Sequence, residues 1–159
     1  MRWIPKALSL IVPFVLLAGC GADPNYATPE KTVATYIENG PRLRNAVDIA
    51  AWNFAWNGLS KTSQQWFEAN WETICDRPSY REACGAQNVP DKQKMVAFGA
   101  AVADRGPSRG DEIDKVNIDG NTAEVKLKSW PGTIFLVKEG KNWKIDRLFG
   151  AEKVASNQL

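Results

Sequence analysis

Apolar residues recur along this chain at two different periods, and the change from one to the other falls near Asp111. Before it the spacing is helical. Thr28-Pro29-Glu30 makes a helix start: threonine offers a side-chain oxygen to orphan amides, proline presets the first φ, and glutamate meets the positive end of the dipole. Val33, Tyr36 and Ile37 share one face, and Asn39-Gly40-Pro41 ends the run. A second helix is expected from about Arg42 to Trp56, with Leu43, Ala46, Val47, Ala50 and Phe54 as its apolar stripe and Asn57-Gly58 as its stop. Ser60 or Thr62 can cap a third, since Thr62 and Gln65 stand at capping-box spacing; Phe67, Asn70, Trp71 and Ile74 follow on one face. Beyond a loop bearing cysteines, Pro90-Asp91 opens a further helix with Met95, Phe98 and Val102, closed by Arg105-Gly106-Pro107.

After Asp111 the period is two. Val116 and Ile118 alternate with polar residues up to a turn at Asp119-Gly120-Asn121. Ala123, Val125 and Leu127 alternate with Thr122, Glu124, Lys126 and Lys128, the pattern of a half-buried strand with a solvated charged face. Trp130-Pro131-Gly132 turns the chain again. The β-branched and aromatic run Thr133 to Val137 suits a central strand covered on both faces. Glu139-Gly140-Lys141-Asn142 makes a last hairpin turn, and Trp143 to Phe149 a last strand. Helices first and an antiparallel meander afterwards predict an α+β domain.

The chain of 159 residues opens differently. Arg2 and Lys6 precede an apolar stretch, Ala7 to Leu17, that is about half the roughly 20 residues needed to span a bilayer and is interrupted by Pro13. A basic start, a short apolar run and then small residues are the layout of a secretory signal. The tetrad Leu17-Ala18-Gly19-Cys20 resembles the lipobox of bacterial lipoproteins. That resemblance implies a signal peptide over residues 1–19, cleavage before Cys20, and diacylglyceryl and palmitate-type chains on the new terminal residue. Acyl burial contributes about 0.8 kcal/mol per methylene, so two or three chains hold a protein durably where one does not. Gly21 follows the cysteine, where an aspartate would oppose sorting. The resemblance thus implies the periplasmic face of the outer membrane in a two-membrane host, and otherwise the outer face of the plasma membrane. The expected partner is a lipid bilayer.

Residues 20–27 then read as a tether, 28–150 as one domain and 151–159 as a tail. The opening Thr28 to Val33 and the closing Val116 to Phe149 are similar to the nuclear transport factor 2-like superfamily. The closing part contains Asp119-Gly120-Asn121-Thr122-Ala123-Glu124-Val125 and Lys138-Glu139-Gly140-Lys141-Asn142-Trp143-Lys144-Ile145. The resemblance implies a curved antiparallel sheet wrapped around N-terminal helices, a cone with an apolar interior. The stretch Gly58 to Pro107 departs from that group in length, and no early strand is evident in it.

Charge and composition narrow the chemistry. The chain holds 20 basic and 18 acidic residues; without Arg2 and Lys6 in the leader the count is 18 against 18. A neutral chain offers no excess of cations for phosphate, so nucleic acid is not an expected partner. There is no histidine, which removes Ser-His-Asp and Cys-His catalysis and the commonest zinc ligand. No metal and no cofactor are expected; Gly106 to Gly110 is a glycine-bearing loop without the strand–helix setting of a dinucleotide site. Of 3 cysteines, Cys75 and Cys84 remain after lipidation. In an oxidising compartment that pair is most simply a disulfide closing the surface loop Asp76 to Ala83, with free thiols, intermolecular pairing and redox chemistry as alternatives.

Tryptophan is abundant, with 7 in the chain. Trp52 and Trp56, four apart, lie together on a helix but off the Leu43–Phe54 stripe. They either fill a core or, with Trp130, line an aromatic pocket or partner patch. Tyr36 sits on the first helix, where ketosteroid isomerases of the superfamily place an oxyanion donor, but no aspartate corresponds to their base; Asp146 beside Arg147 reads as a surface residue. Tyr36 as a core residue is the simpler reading, and a place in a ligand- or partner-binding site with Trp52, Trp56 and Trp130 is the alternative. The functional expectation is a non-catalytic, membrane-anchored envelope lipoprotein that binds a small apolar ligand or an envelope protein. An isomerase- or hydrolase-type enzyme, and a structural or assembly factor, are the alternatives.

Overall fold

The computed structural model describes residues 21–44 and 48–148; the leader, Cys20 and the 151–159 tail lie outside the described residues. The architecture is α+β, with five α-helices followed by a four-stranded open antiparallel sheet among the described residues. Helix α1 spans Pro29–Asn39. Thr28 caps it by accepting from the Lys31 amide, and Thr32, Val33, Tyr36 and Ile37 form its buried face. A 3₁₀ turn, Gly40–Arg44, follows.

The long second helix expected from Arg42 to Trp56 is not formed as such. Helix α2 is Ile49–Asn57, and Asp48 caps it by accepting from the Ala51 amide at 2.9 Å. Two forces separate the pieces. The Asp48 carboxylate, also paired with Arg42 at 2.8 Å, serves the amides of a new helix start. Leu43 is buried, and its carbonyl lies so close to helix α5 (Pro90–Arg105) that a Cβ on Gly99 would meet it at 2.4 Å. The expected stripe is therefore wrong beyond Leu43: Ala50 and Phe54 are exposed, Ala51 and Ala55 are buried, and Ala46 and Val47 lie outside the described residues.

Helix α3, Lys61–Cys75, is capped by Ser60, with Phe67 and Ile74 in the core as its spacing predicts. The expected cysteine loop is mostly a helix, α4, Pro78–Gly85. Pro78 presets its first turn and turns Cys84 back toward α3. Cys75 and Cys84 stand at disulfide distance, S–S 2.03 Å and Cα–Cα 5.7 Å. Helix α5 buries Ala97, Phe98, Ala101 and Val102.

Strands β1 (Ile113–Asp119), β2 (Thr122–Leu127), β3 (Thr133–Glu139) and β4 (Asn142–Asp146) lie in sequence order, each antiparallel to the next. Gly120 and Gly140 take positive φ in the two-residue turns that join β1 to β2 and β3 to β4. The pairs Ala123↔Leu136, Val125↔Ile134 and Leu136↔Ile145 put one apolar face on the helices. Strand β3 is not covered on both faces: Ile134 and Leu136 are buried while Thr133, Phe135 and Val137 are half-exposed. No helix layer packs on that second face among the described residues, so β-branching there reflects strand geometry. The last strand ends at Asp146 because Arg147 turns to φ 56.

The β4 edge is closed by chain from elsewhere. Ile145 donates to the Gly58 carbonyl and accepts from the Ser60 amide, making an isolated bridge with Leu59. Trp143 donates to the Tyr26 carbonyl. Tyr26, inside the segment read as a tether, is buried and its hydroxyl donates to the Phe54 carbonyl at 2.7 Å. Most of that segment is thus folded onto the domain, because a large aromatic ring six residues after Cys20 finds a site beside β4.

Candidate functional site

A cavity of about 250 Å³ opens where β3 begins and β4 ends. Its wall is built from four places in the sequence: Tyr36 of α1, Pro107 after α5, Trp130 before β3, and the paired strand ends Ile134-Phe135 and Ile145 to Leu148. Helical spacing carries Tyr36 inward with Thr32 and Val33. Trp130 is held by the turn that follows it, for a Cβ on Gly132 would sit 2.2 Å from the indole ring. Only glycine lets the ring fold back over that backbone.

Tyr36 is the unusual group. Its hydroxyl is buried and has no hydrogen-bond partner among the described residues. It rests against Gly106, where a Cβ would come within 3.0 Å of the oxygen. Burial pushes the phenol far above its ordinary value of 10, so the group keeps its proton. An unsatisfied buried hydroxyl costs about 1–3 kcal/mol.

The charged rim comes from the end of β4. Asp146, expected at the surface by alternation with Ile145, is instead half-buried and accepts from Ser60 Oγ at 2.6 Å. The β4 edge is roofed by residues 58–60, which alternation within the strand does not reveal. Arg147 lies 3.5 Å from the Asp146 carboxylate, and its guanidinium stacks 5.4 Å from the Phe135 ring centroid. Its positive φ costs about 1–2 kcal/mol in an L-residue. That strain turns the chain at the cavity mouth.

Tyr36, Trp52, Trp56 and Trp130 are the binding candidates that the sequence offers. The structure brings Tyr36 and Trp130 to one cavity and keeps Trp52 and Trp56 away from it. The two α2 tryptophans stack at 5.2 Å, and Trp56 meets Phe67 and Phe98 edge-on at 5.7 Å each. They join helices α2, α3 and α5. Phe135, Asp146 and Arg147 are the site residues that sequence reasoning missed; a β-strand that ends in Asp-Arg carries no signal of what will stand opposite.

The chemistry available is one donor, one arginine, one engaged carboxylate and aromatic walls. No group of three or more potential metal ligands occurs among the described residues. Nor is any helix among them long and apolar enough to cross a membrane. Comparisons with protein-family models, with curated proteins and with solved structures give no match.

Proposed function

We propose that this chain is an envelope lipoprotein, held to a bilayer by acyl chains on Cys20, whose domain binds a small and mainly apolar ligand beside Tyr36. The domain is read as nuclear transport factor 2-like from its hairpin motifs and its order of helices before meander. The single observation behind the ligand is a cavity with aromatic sides that Tyr36 helps to line, the Tyr36 hydroxyl being buried and unpartnered among the described residues. A volume of about 250 Å³ falls just under the range of drug-sized sites, so it suits a molecule of one or two rings bearing one acceptor. Anchorage rests on the tetrad Leu17-Ala18-Gly19-Cys20 and the short apolar run before it.

Native mass spectrometry of the acylated protein tests both halves. A retained small molecule and a lipid mass on Cys20 are expected. Tyr36→Phe removes one oxygen and should weaken retention about tenfold, the worth of one hydrogen bond, without destabilising the ligand-free fold. Loss of stability with no ligand in either form would reduce Tyr36 to a core residue. Cys20→Ser should release the chain from membranes, and continued retention would reject the anchor.

One observation favours an enzymatic alternative: Asp146 lines the same cavity as Tyr36. Its carboxylate is already bound by Ser60 and faces Arg147, which suits a positioning group better than a base. A catalyst would return the bound compound chemically changed, and Asp146→Asn would stop the change.

A further inference from the structure

Helix α2 carries no charged residue: Ile49, Ala50, Ala51, Trp52, Asn53, Phe54, Ala55, Trp56 and Asn57 are all neutral. Its inner side packs Ala51, Ala55 and the two stacked tryptophans. The outer side is not the usual row of lysines and glutamates. Ile49, Ala50, Asn53, Phe54 and Asn57 are exposed and cover an arc of roughly 140° at 100° per residue. Ile49 is 63% exposed and Phe54 39%. The exposed arc therefore mixes Ile49, Ala50 and Phe54 with the neutral amides Asn53 and Asn57, an uncharged and partly apolar face open to solvent.

The first described residues lie beside this helix. The Asp23 amide is fixed to Asn142 Oδ1 at 2.9 Å, and Tyr26 binds the Phe54 carbonyl. Three Cα steps of 3.8 Å join Cys20 to Asp23, so the Cys20 Cα stays within about 11 Å, and its sulfur within about 14 Å, of a residue already docked on the domain. Acyl chains must lie in hydrocarbon, and the headgroup layer above it is some 5–7 Å thick on each side. The end of the molecule that holds Asn142 of β4 and the Phe54 carbonyl of α2 is therefore the part that such an anchor presses against lipid.

We infer that the outer face of α2, centred on Phe54 and Ile49, is an interfacial docking surface that rests on the bilayer and orients the domain. This rests on the proposed acylation of Cys20. Charges at this end are mixed, with Asp23 and Glu139 acting on Lys144, so apolar insertion of Phe54 carries the contact. A protein partner or a second copy on the same face would not explain why the anchor is tied to this helix.

Placing p-benzoylphenylalanine at position 54 of the acylated full chain, in phosphatidylcholine–phosphatidylglycerol vesicles, tests the docking. Val89 is the control: it is 47% exposed and lies past α3, a helix of 15 residues or about 22 Å. Irradiation should give lipid adducts at position 54 at least tenfold above position 89. Equal yields, or adducts to protein in place of lipid, overturn the docking when the same digest shows an acylated Cys20. A digest without acyl mass overturns the anchor itself, and the docking falls with it.

Discussion

Ser60 Oγ donates to Asp146 Oδ1 at 2.6 Å while accepting from the Ser63 amide at 3.1 Å, so one hydroxyl both starts helix α3 and ties it to the end of β4. The bond spans 86 residues of sequence and lies beside the candidate cavity. It places the Asp146 carboxylate near the positive end of the α3 dipole, where a negative charge is favoured.

Ser60→Ala should therefore cost more than an ordinary cap. Loss of the cap accounts for about 1 kcal/mol, and an Asp146 oxygen left without its donor adds roughly another 1–2 kcal/mol. Urea unfolding reads the sum, and Ser60→Thr should recover most of it. A change below about 0.5 kcal/mol would mean that water replaces the serine without loss.

Trp143 is 5% exposed, and Lys138 Nζ lies 5.8 Å from its ring centroid. Its amide and carbonyl also bind Tyr26 and Thr32, which fastens the N-terminal segment and α1 to β4. Trp143→Ala should destabilise by about 3–5 kcal/mol through the cavity it leaves. Near-native unfolding midpoints for the variant would contradict its place in the core.

Cys75 and Cys84 are separated by 9 positions, and linking them limits the unfolded chain. Loop-closure entropy puts the stabilisation at roughly 2–3 kcal/mol. The double variant Cys75→Ser, Cys84→Ser should lower stability by that amount, and peptide mapping without reductant should recover the 75–84 pair. Free thiols at both positions in the exported protein would remove the link.

Alkaline pH should unfold the domain early. Burial, with Asp23 adding to it, pushes the Tyr26 phenol from 10.0 up to about 12. Below pH 10 the phenol is protonated in both states and its contribution is fully present. Between pH 10 and 12 the unfolded chain ionises and the folded one does not, so stability falls by about 1.4 kcal/mol per pH unit from this group. Tyr36, raised by burial in the same direction, steepens the fall. Tyr26→Phe should flatten the profile in a pH series of denaturant unfolding, and an unchanged slope would show that the Tyr26 phenol ionises as readily folded as unfolded.

Local signals were legible wherever a residue acts on its own neighbours. Thr28-Pro29 starts a helix, Gly120 and Gly140 turn hairpins, and Ala123, Val125 and Leu127 alternate inward, because capping, positive φ and strand pleat are short-range. The helix break at Asp48 was missed because Leu43 and Gly99 decide it across 56 positions, and the covered edge of β4 because residues 58–60 come from far upstream.

From the amino acids alone came the α+β class, the start of α1, the meander and the pairing of Cys75 with Cys84, all set by periodicity, turn chemistry and the small number of cysteines. Tertiary structure decided the rest. It gathered Tyr36, Trp130 and Arg147 around one cavity, made Asp146 a partner of Ser60, and turned α2 so that its tryptophans face inward and Phe54 outward. The reason is physical: a short uncharged helix with large apolar side chains on more than one side has no preferred inner face until its neighbours pack against it.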